Sequence, residues 1–297
     1  MTDVLLTGAN GQLGWEVARR AAARGLAVHA ASSAELDISD AQAVERVVHE
    51  LRPRVVVNAA AFTAVDRAES NAEAAFRVNR DGPAYLAAAC ARHGAALIHV
   101  STDYVFDGGK PTAYVEDDPI APLGVYGASK AAGEAAVRAA LPEHVILRTA
   151  WVYGVHGANF VKTMLRLAET RDELRVVDDQ RGCPTFAGDL AEAILAIAAR
   201  IKAGDMPAEG YGTFHCAGAG PTTWRLFAAR IFELAAPRLG KTPTVTPITT
   251  SEYPTPATRP ANSVLDCGKL ARVHGLSLRP WPEALAEMLD ATLVATN

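Results

Sequence analysis

Short apolar runs alternate with longer amphipathic stretches through the first half of this chain. Val4-Leu5-Leu6-Thr7 is the first run; a glycine-bearing loop follows, and apolar residues then recur at helical spacing over 12–24 until Gly25 stops the pattern. Runs at 27–31, 54–60, 96–100 and 145–148 read as further strands, with 72–93 and 130–140 as helices between them. Apolar, β-branched runs without polar alternation need cover on both faces. The predicted class is therefore α/β, a doubly wound parallel sheet.

After Trp151 the alternation weakens. Helices are predicted over 160–170, 189–203 and 223–239, and Pro243, Pro247, Pro254, Pro256 and Pro260 mark a long extended connection, read as a surface loop or a cleft wall. The expected organisation is a nucleotide-binding domain over 1–150 and a smaller lobe over 151–297. The two are interleaved, with segments near 186–217 returning to the first.

Composition narrows the function classes. A chain of 297 residues, 49% hydrophobic and 21% charged, can bury a sizeable globular core. Its net charge of −4 offers no basic field for nucleic acid or a membrane surface. Met1-Thr2-Asp3 runs straight into a strand without the features of a signal peptide, so the expected location is the cytoplasm. Cys90, Cys183, Cys216 and Cys267 are scattered, and the eight His form no close pair, so no zinc site or disulfide framework is expected.

Two clusters carry chemistry. Gly8, Gly11 and Gly14 in Thr7-Gly8-Ala9-Asn10-Gly11-Gln12-Leu13-Gly14 stand between a predicted strand and a predicted helix, where a pyrophosphate can approach backbone N–H groups. Tyr126 and Lys130 are four residues apart, which on a helix puts phenol and ammonium on one face. The ammonium is expected to lower the phenol's pKa and make it a usable proton donor. Together the clusters point to a nicotinamide redox enzyme.

The G-x-x-G-x-x-G spacing resembles the short-chain dehydrogenase/reductase superfamily, a Rossmann-fold group, and in particular its extended nucleotide-sugar branch. Asn58-Ala59-Ala60-Ala61, Ser101-Thr102-Asp103 and the Tyr126/Lys130 pair follow in that group's order. Longer runs at 58–69, 101–106, 148–154, 179–185 and 253–263 resemble more closely the dTDP-4-dehydrorhamnose reductase family, over nearly the whole chain. The resemblance implies reduction of the C4 ketone of dTDP-4-dehydro-L-rhamnose by NADPH or NADH, for cell-surface polysaccharide such as lipopolysaccharide O-antigen.

It further implies Tyr126, Lys130 and Thr102 as catalytic residues. Gly11, Gln12 and Leu13 would meet the pyrophosphate, Asp37 and Ile38 the adenine, and Ala60, Ala61 and Thr63 the length of the cofactor. Asp103, Tyr104 and Trp151 would wall the sugar, and Arg259 and Asn262 would meet the substrate's nucleotide or pyrophosphate. Read from the residues alone, each has a plainer alternative: Asp37 as a turn acid or helix cap, Trp151 as a core indole and Arg259 as a salt-bridged surface group.

Two departures stand out. Where many members of that family carry an acid or Arg beside the adenosine ribose, this chain has Ser32 and Ser33, which select neither cofactor strongly and imply use of both. Some members dimerise through a carboxylate-bound Mg2+; Glu16 is present here, but 186–189 supplies no clear partner, leaving a homodimer and a metal as open expectations. Two other functions fit the motifs: a nucleotide-sugar epimerase or dehydratase, and a non-catalytic regulatory subunit like the β subunit of methionine adenosyltransferase.

Overall fold

The computed structural model describes residues 2–294. Strands β1 (Val4–Thr7), β2 (Val28–Ala31), β3 (Val55–Asn58), β4 (Ala96–Thr102) and β5 (His144–Thr149) come first. Short strands β6 (Val152–Tyr153), β7 (Glu173–Val177), β8 (Arg181–Gly182) and β9 (Thr185–Phe186) precede β10 (Gly212–His215), β11 (Thr222–Thr223) and β12 (Thr244–Ile248). The helices are α1 (Gln12–Arg20), α2 (Ala41–Leu51), α3 (Val65–Ser70), α4 (Ala72–Phe76), α5 (Gly82–His93) and α6 (Val125–Ala140). After β5 come α7 (Phe160–Ala168), α8 (Ala187–Ala203), α9 (Trp224–Leu239), α10 (Gly268–His274) and α11 (Trp281–Val294).

The main sheet runs β10-β5-β4-β3-β1-β2, and every pair in it is parallel. Its central strands are largely apolar because both faces are covered. Val4 and Leu6 point into a core shared with Leu13, Val17, Leu190 and Ile194 of α1 and α8. Leu5, between them, points into the opposite core with Val44, Leu86 and Val137 of α2, α5 and α6. β2 and β3 flank β1 on opposite sides, so the connections leaving β1 and β3 diverge and open a crevice at the strands' carboxyl ends.

A second core joins Tyr153, Val161, Phe227, Phe232 and Leu285, between α7, α9 and α11. The proline-rich connection is more ordered than its composition predicts: Thr244–Ile248 pairs in parallel with Glu173–Val177, with Pro247 opposite Val176. Pro is tolerated there because a two-stranded sheet has only edges. The predicted helix over 72–93 is broken by a π-helical turn, Arg77–Asp81. The helix predicted over 130–140 begins earlier, at Val125, and so contains Tyr126. No helix among the described residues is long and apolar enough to cross a membrane.

Candidate active site

A cleft of about 830 Å³ follows the carboxyl ends of the main sheet. Between the ends of β2 and β3 the turn after β1 meets α1. Gly11 is the N-cap, in extended conformation and with no side-chain cap, so the first amides of α1 are open to an anion. Gly8 has φ +75°, and a Cβ there would lie 2.6 Å from the Ala60 nitrogen; one on Gly14 would lie 2.1 Å from the Gly8 oxygen. The glycines thus let the loop, α1 and the end of β3 pack close enough to form a shallow cradle, which suits the pyrophosphate of a dinucleotide. Gly14 works through this packing and does not itself line the cleft.

Ser33, Asp37 and Ile38, after the edge strand β2, border the cleft on one side of this turn, and Ala60, Ala61 and Thr63, after β3, border it on the other. Asp37 holds its own turn by accepting from the Ser39 amide and hydroxyl, at 2.9 and 2.7 Å. Ser32 does not face the cleft. Its amide and hydroxyl both donate to Glu35 Oε2, at 2.8 and 2.7 Å, and these bonds hold the Glu35 carboxyl below its usual range. Glu35 gave no signal in the sequence beyond its spacing of three from Ser32.

The reactive side chains line the same cleft. Thr102 ends β4; its hydroxyl donates to Asp103 Oδ1 at 3.0 Å and accepts from the Tyr104 amide at 3.2 Å, shaping the turn that follows. Tyr126 is the second residue of α6, and Glu69 Oε1 caps that helix by accepting from the Val125 amide at 2.9 Å. The Tyr104 and Tyr126 rings meet edge to face, with centroids 5.5 Å apart. Lys130, one turn on, is 2% exposed and its Nζ donates to the Val100 oxygen at 2.7 Å.

Burial dominates the electrostatics here. It pushes the Tyr126 phenol up to about 12, with the Thr102 hydroxyl pulling the other way and the Asp103 charge adding to the rise. It pulls Lys130 down to about 8, against the opposing charge of Glu134. Asp103 is pushed up to about 6 by burial, opposed by hydrogen bonds from Ser263 and Thr102. The expected lowering of the phenol by Lys130 is not found: burial raises it, and the Thr102 hydroxyl opposes that rise. A phenol shifted upward is fully protonated at neutral pH, as a proton donor must be.

Supports missed from the sequence lie beneath these groups. Asn79, in the π-helical turn, accepts from the Phe62 amide and donates to the Phe62 oxygen and Ser129 Oγ, tying the cleft wall to α6. Glu134, fully buried, accepts from Ser101, Arg138 and both forks of Arg148. Its place four residues after Lys130 was the available signal. Thr149, opposite Thr102 in the sheet register, also lines the cleft.

Trp151 lines the cleft as expected, with its indole stacked on Trp224. Arg259 and Asn262 do not line it. Arg259 forks onto Asp66 at 2.7 and 2.8 Å, and Asn262 donates to the Lys110 and Thr112 oxygens. Both organise the proline-rich wall in this conformation. The carboxylate proposed for a metal is likewise engaged: Glu16 Oε2 accepts from Arg19 and Arg20, both at 2.8 Å, and Arg20 continues to Glu192 at 3.1 Å. Among the described residues no group of three or more His, Cys, Asp or Glu is placed to hold a metal ion. With a guanidinium standing among these acids, they do not fit Mg2+.

The family model described as the RmlD substrate binding domain matches residues 1–294. A dTDP-4-dehydrorhamnose reductase of Sinorhizobium fredii is 46% identical over 290 residues, covering 97% of each chain. Among solved structures, a dTDP-4-dehydrorhamnose reductase of Clostridium acetobutylicum superposes with TM-score 0.91 at 42% identity, covering 98% of this chain and 99% of that one. The Bacillus anthracis enzyme of the same name, in complex with NADP, gives TM-score 0.91 at 37% identity, covering 98% and 100%.

Proposed function

This chain belongs to the RmlD substrate-binding-domain family of dTDP-4-dehydrorhamnose reductases, and from that membership we propose how its cleft works. The protein reduces the C4 ketone of dTDP-4-dehydro-L-rhamnose to dTDP-L-rhamnose with a reduced nicotinamide. The observation that carries the reading is that Tyr126, Lys130 and Thr102 line the same cleft as the glycine cradle of the turn after β1. The amides at the start of α1 and the Gly8–Gly14 packing hold the pyrophosphate, and Asp37 and Ile38 border the adenine. When bound, the nicotinamide supplies the hydride.

The phenol of Tyr126 gives its proton to the alkoxide oxygen developing at C4 of the sugar. Lys130 stabilises the phenolate left behind and holds the cofactor ribose. Thr102 tunes the phenol, and its bond to Asp103 fixes the turn that carries Tyr104 to the cleft. Trp151, Asp103 and Tyr104 wall the sugar. Arg259 exchanges Asp66 for the substrate's pyrophosphate, a contact suited to guanidinium geometry, while Asn262 holds the adjoining loop. Cytoplasmic location, a homodimer and acceptance of both NADH and NADPH belong to the same reading.

The test is turnover of enzymatically made dTDP-4-dehydrorhamnose with a reduced nicotinamide deuterated at C4. The label should appear at C4 of dTDP-rhamnose in step with oxidation of the nicotinamide. Conversion without added reductant would favour an epimerase, and absence of any conversion a regulatory subunit.

A further inference from the structure

Two indoles build the sugar wall, and only one of them lines the cleft. Trp151 leaves β5 with φ +47°, a left-handed conformation that a bulky residue adopts only when its surroundings impose it. What imposes it is visible. Its ring lies face to face with Trp224, centroids 3.6 Å apart and planes 9° from parallel. Gly182 packs against the same ring so closely that a Cβ there would sit 2.4 Å from it.

Trp224 is the first residue of α9 and belongs to the second core, outside the cleft. Its position is set from several sides. Thr223 caps α9 by accepting from the Leu226 amide at 3.2 Å and donates to Asp178, which also accepts from Arg225. Phe160 flanks the Trp224 ring at 4.7 Å. The start of α9 therefore fixes an aromatic surface that follows β5 of the main sheet.

We propose that Trp224 is a positioning residue: it holds the Trp151 indole in the plane on which the deoxysugar of the substrate docks. This rests on the reading of that wall as the sugar site. An unsupported Trp151 could relax its backbone and swing, so the wall's shape would no longer select the sugar.

The test is Trp224→Ala, with Trp151→Ala as its control and Trp224→Phe to retain a ring. Trp224→Ala should raise KM for the nucleotide sugar roughly three- to tenfold, the scale of one aromatic pair, with kcat and cofactor affinity unchanged. Trp224→Phe should return KM most of the way to the native value. The exciton couplet of stacked indoles in far-ultraviolet circular dichroism should vanish in Trp224→Ala; it reports this pair, since Trp15 stacks on His156 and Trp281 meets Phe227. An unchanged KM in Trp224→Ala with the couplet lost, while Trp151→Ala raises KM, overturns the positioning role alone. An unchanged KM in Trp151→Ala removes the sugar-wall reading and the proposal with it.

Discussion

Replacing Lys130 with Met should abolish turnover yet make the folded protein more stable at neutral pH. The ammonium is 2% exposed, and burial pulls it from its ordinary 10.5 down to about 8. At about 1.36 kcal/mol for each pH unit, the folded state carries roughly 3 kcal/mol of penalty at pH 7. Met removes that penalty and also removes the hydrogen bond to Val100, about 1 kcal/mol, for a net gain of about 2 kcal/mol. Because the folded pKa lies below the unfolded one, the unfolded chain binds more protons between pH 8 and 10.5. Native stability from this group is therefore lowest below pH 8 and rises as pH climbs to 10.5. Urea unfolding of both proteins across this range isolates the effect: native minus variant should run from about −2 kcal/mol at pH 7 to about +1 at pH 10.5. A variant less stable than the native protein at pH 7, with a difference flat in pH, would show that burial does not penalise the ammonium.

Ser33 lines the cleft while Ser32 is held by Glu35, so steady-state kcat/KM for NADH and NADPH should agree within roughly tenfold, about 1.4 kcal/mol. Ser33→Arg should shift the ratio toward NADPH; a native preference of several hundredfold would show that another group reads the ribose. Chelation by EDTA should leave both turnover and the melting temperature unchanged, because Arg20 stands between Glu16 and Glu192. A loss restored by Mg2+ would contradict that assignment.

The strands β1 to β5 were legible because most of them are largely apolar runs that belong between two helical layers, whereas β10, Gly-Thr-Phe-His, carries no such run and was not read as a strand. Val55-Val56-Val57 is the plainest example, its side chains alternating between the two cores. The glycine cradle and the Tyr126/Lys130 pair were legible from spacing, since backbone approach and helix periodicity are local properties. Nonlocal pairing was not. Nothing in the sequence next to Arg259 names Asp66, which lies 193 residues away, and nothing next to Trp151 names Trp224. The sign of the net shift at Tyr126 was missed for a related reason: a spacing reveals a residue one helical turn away but not the depth of burial that raises the phenol.

In the proposed reaction Tyr126 delivers the proton to the alkoxide formed at C4 of the sugar. Steady-state turnover of dTDP-4-dehydrorhamnose by Tyr126→Phe, with cofactor affinity measured alongside, tests it most directly. Tyr126→Phe should lower kcat by roughly 10² to 10⁴ with cofactor binding nearly intact, because the ring keeps its shape and loses only the transferable proton. Near-native reduction by Tyr126→Phe would contradict it.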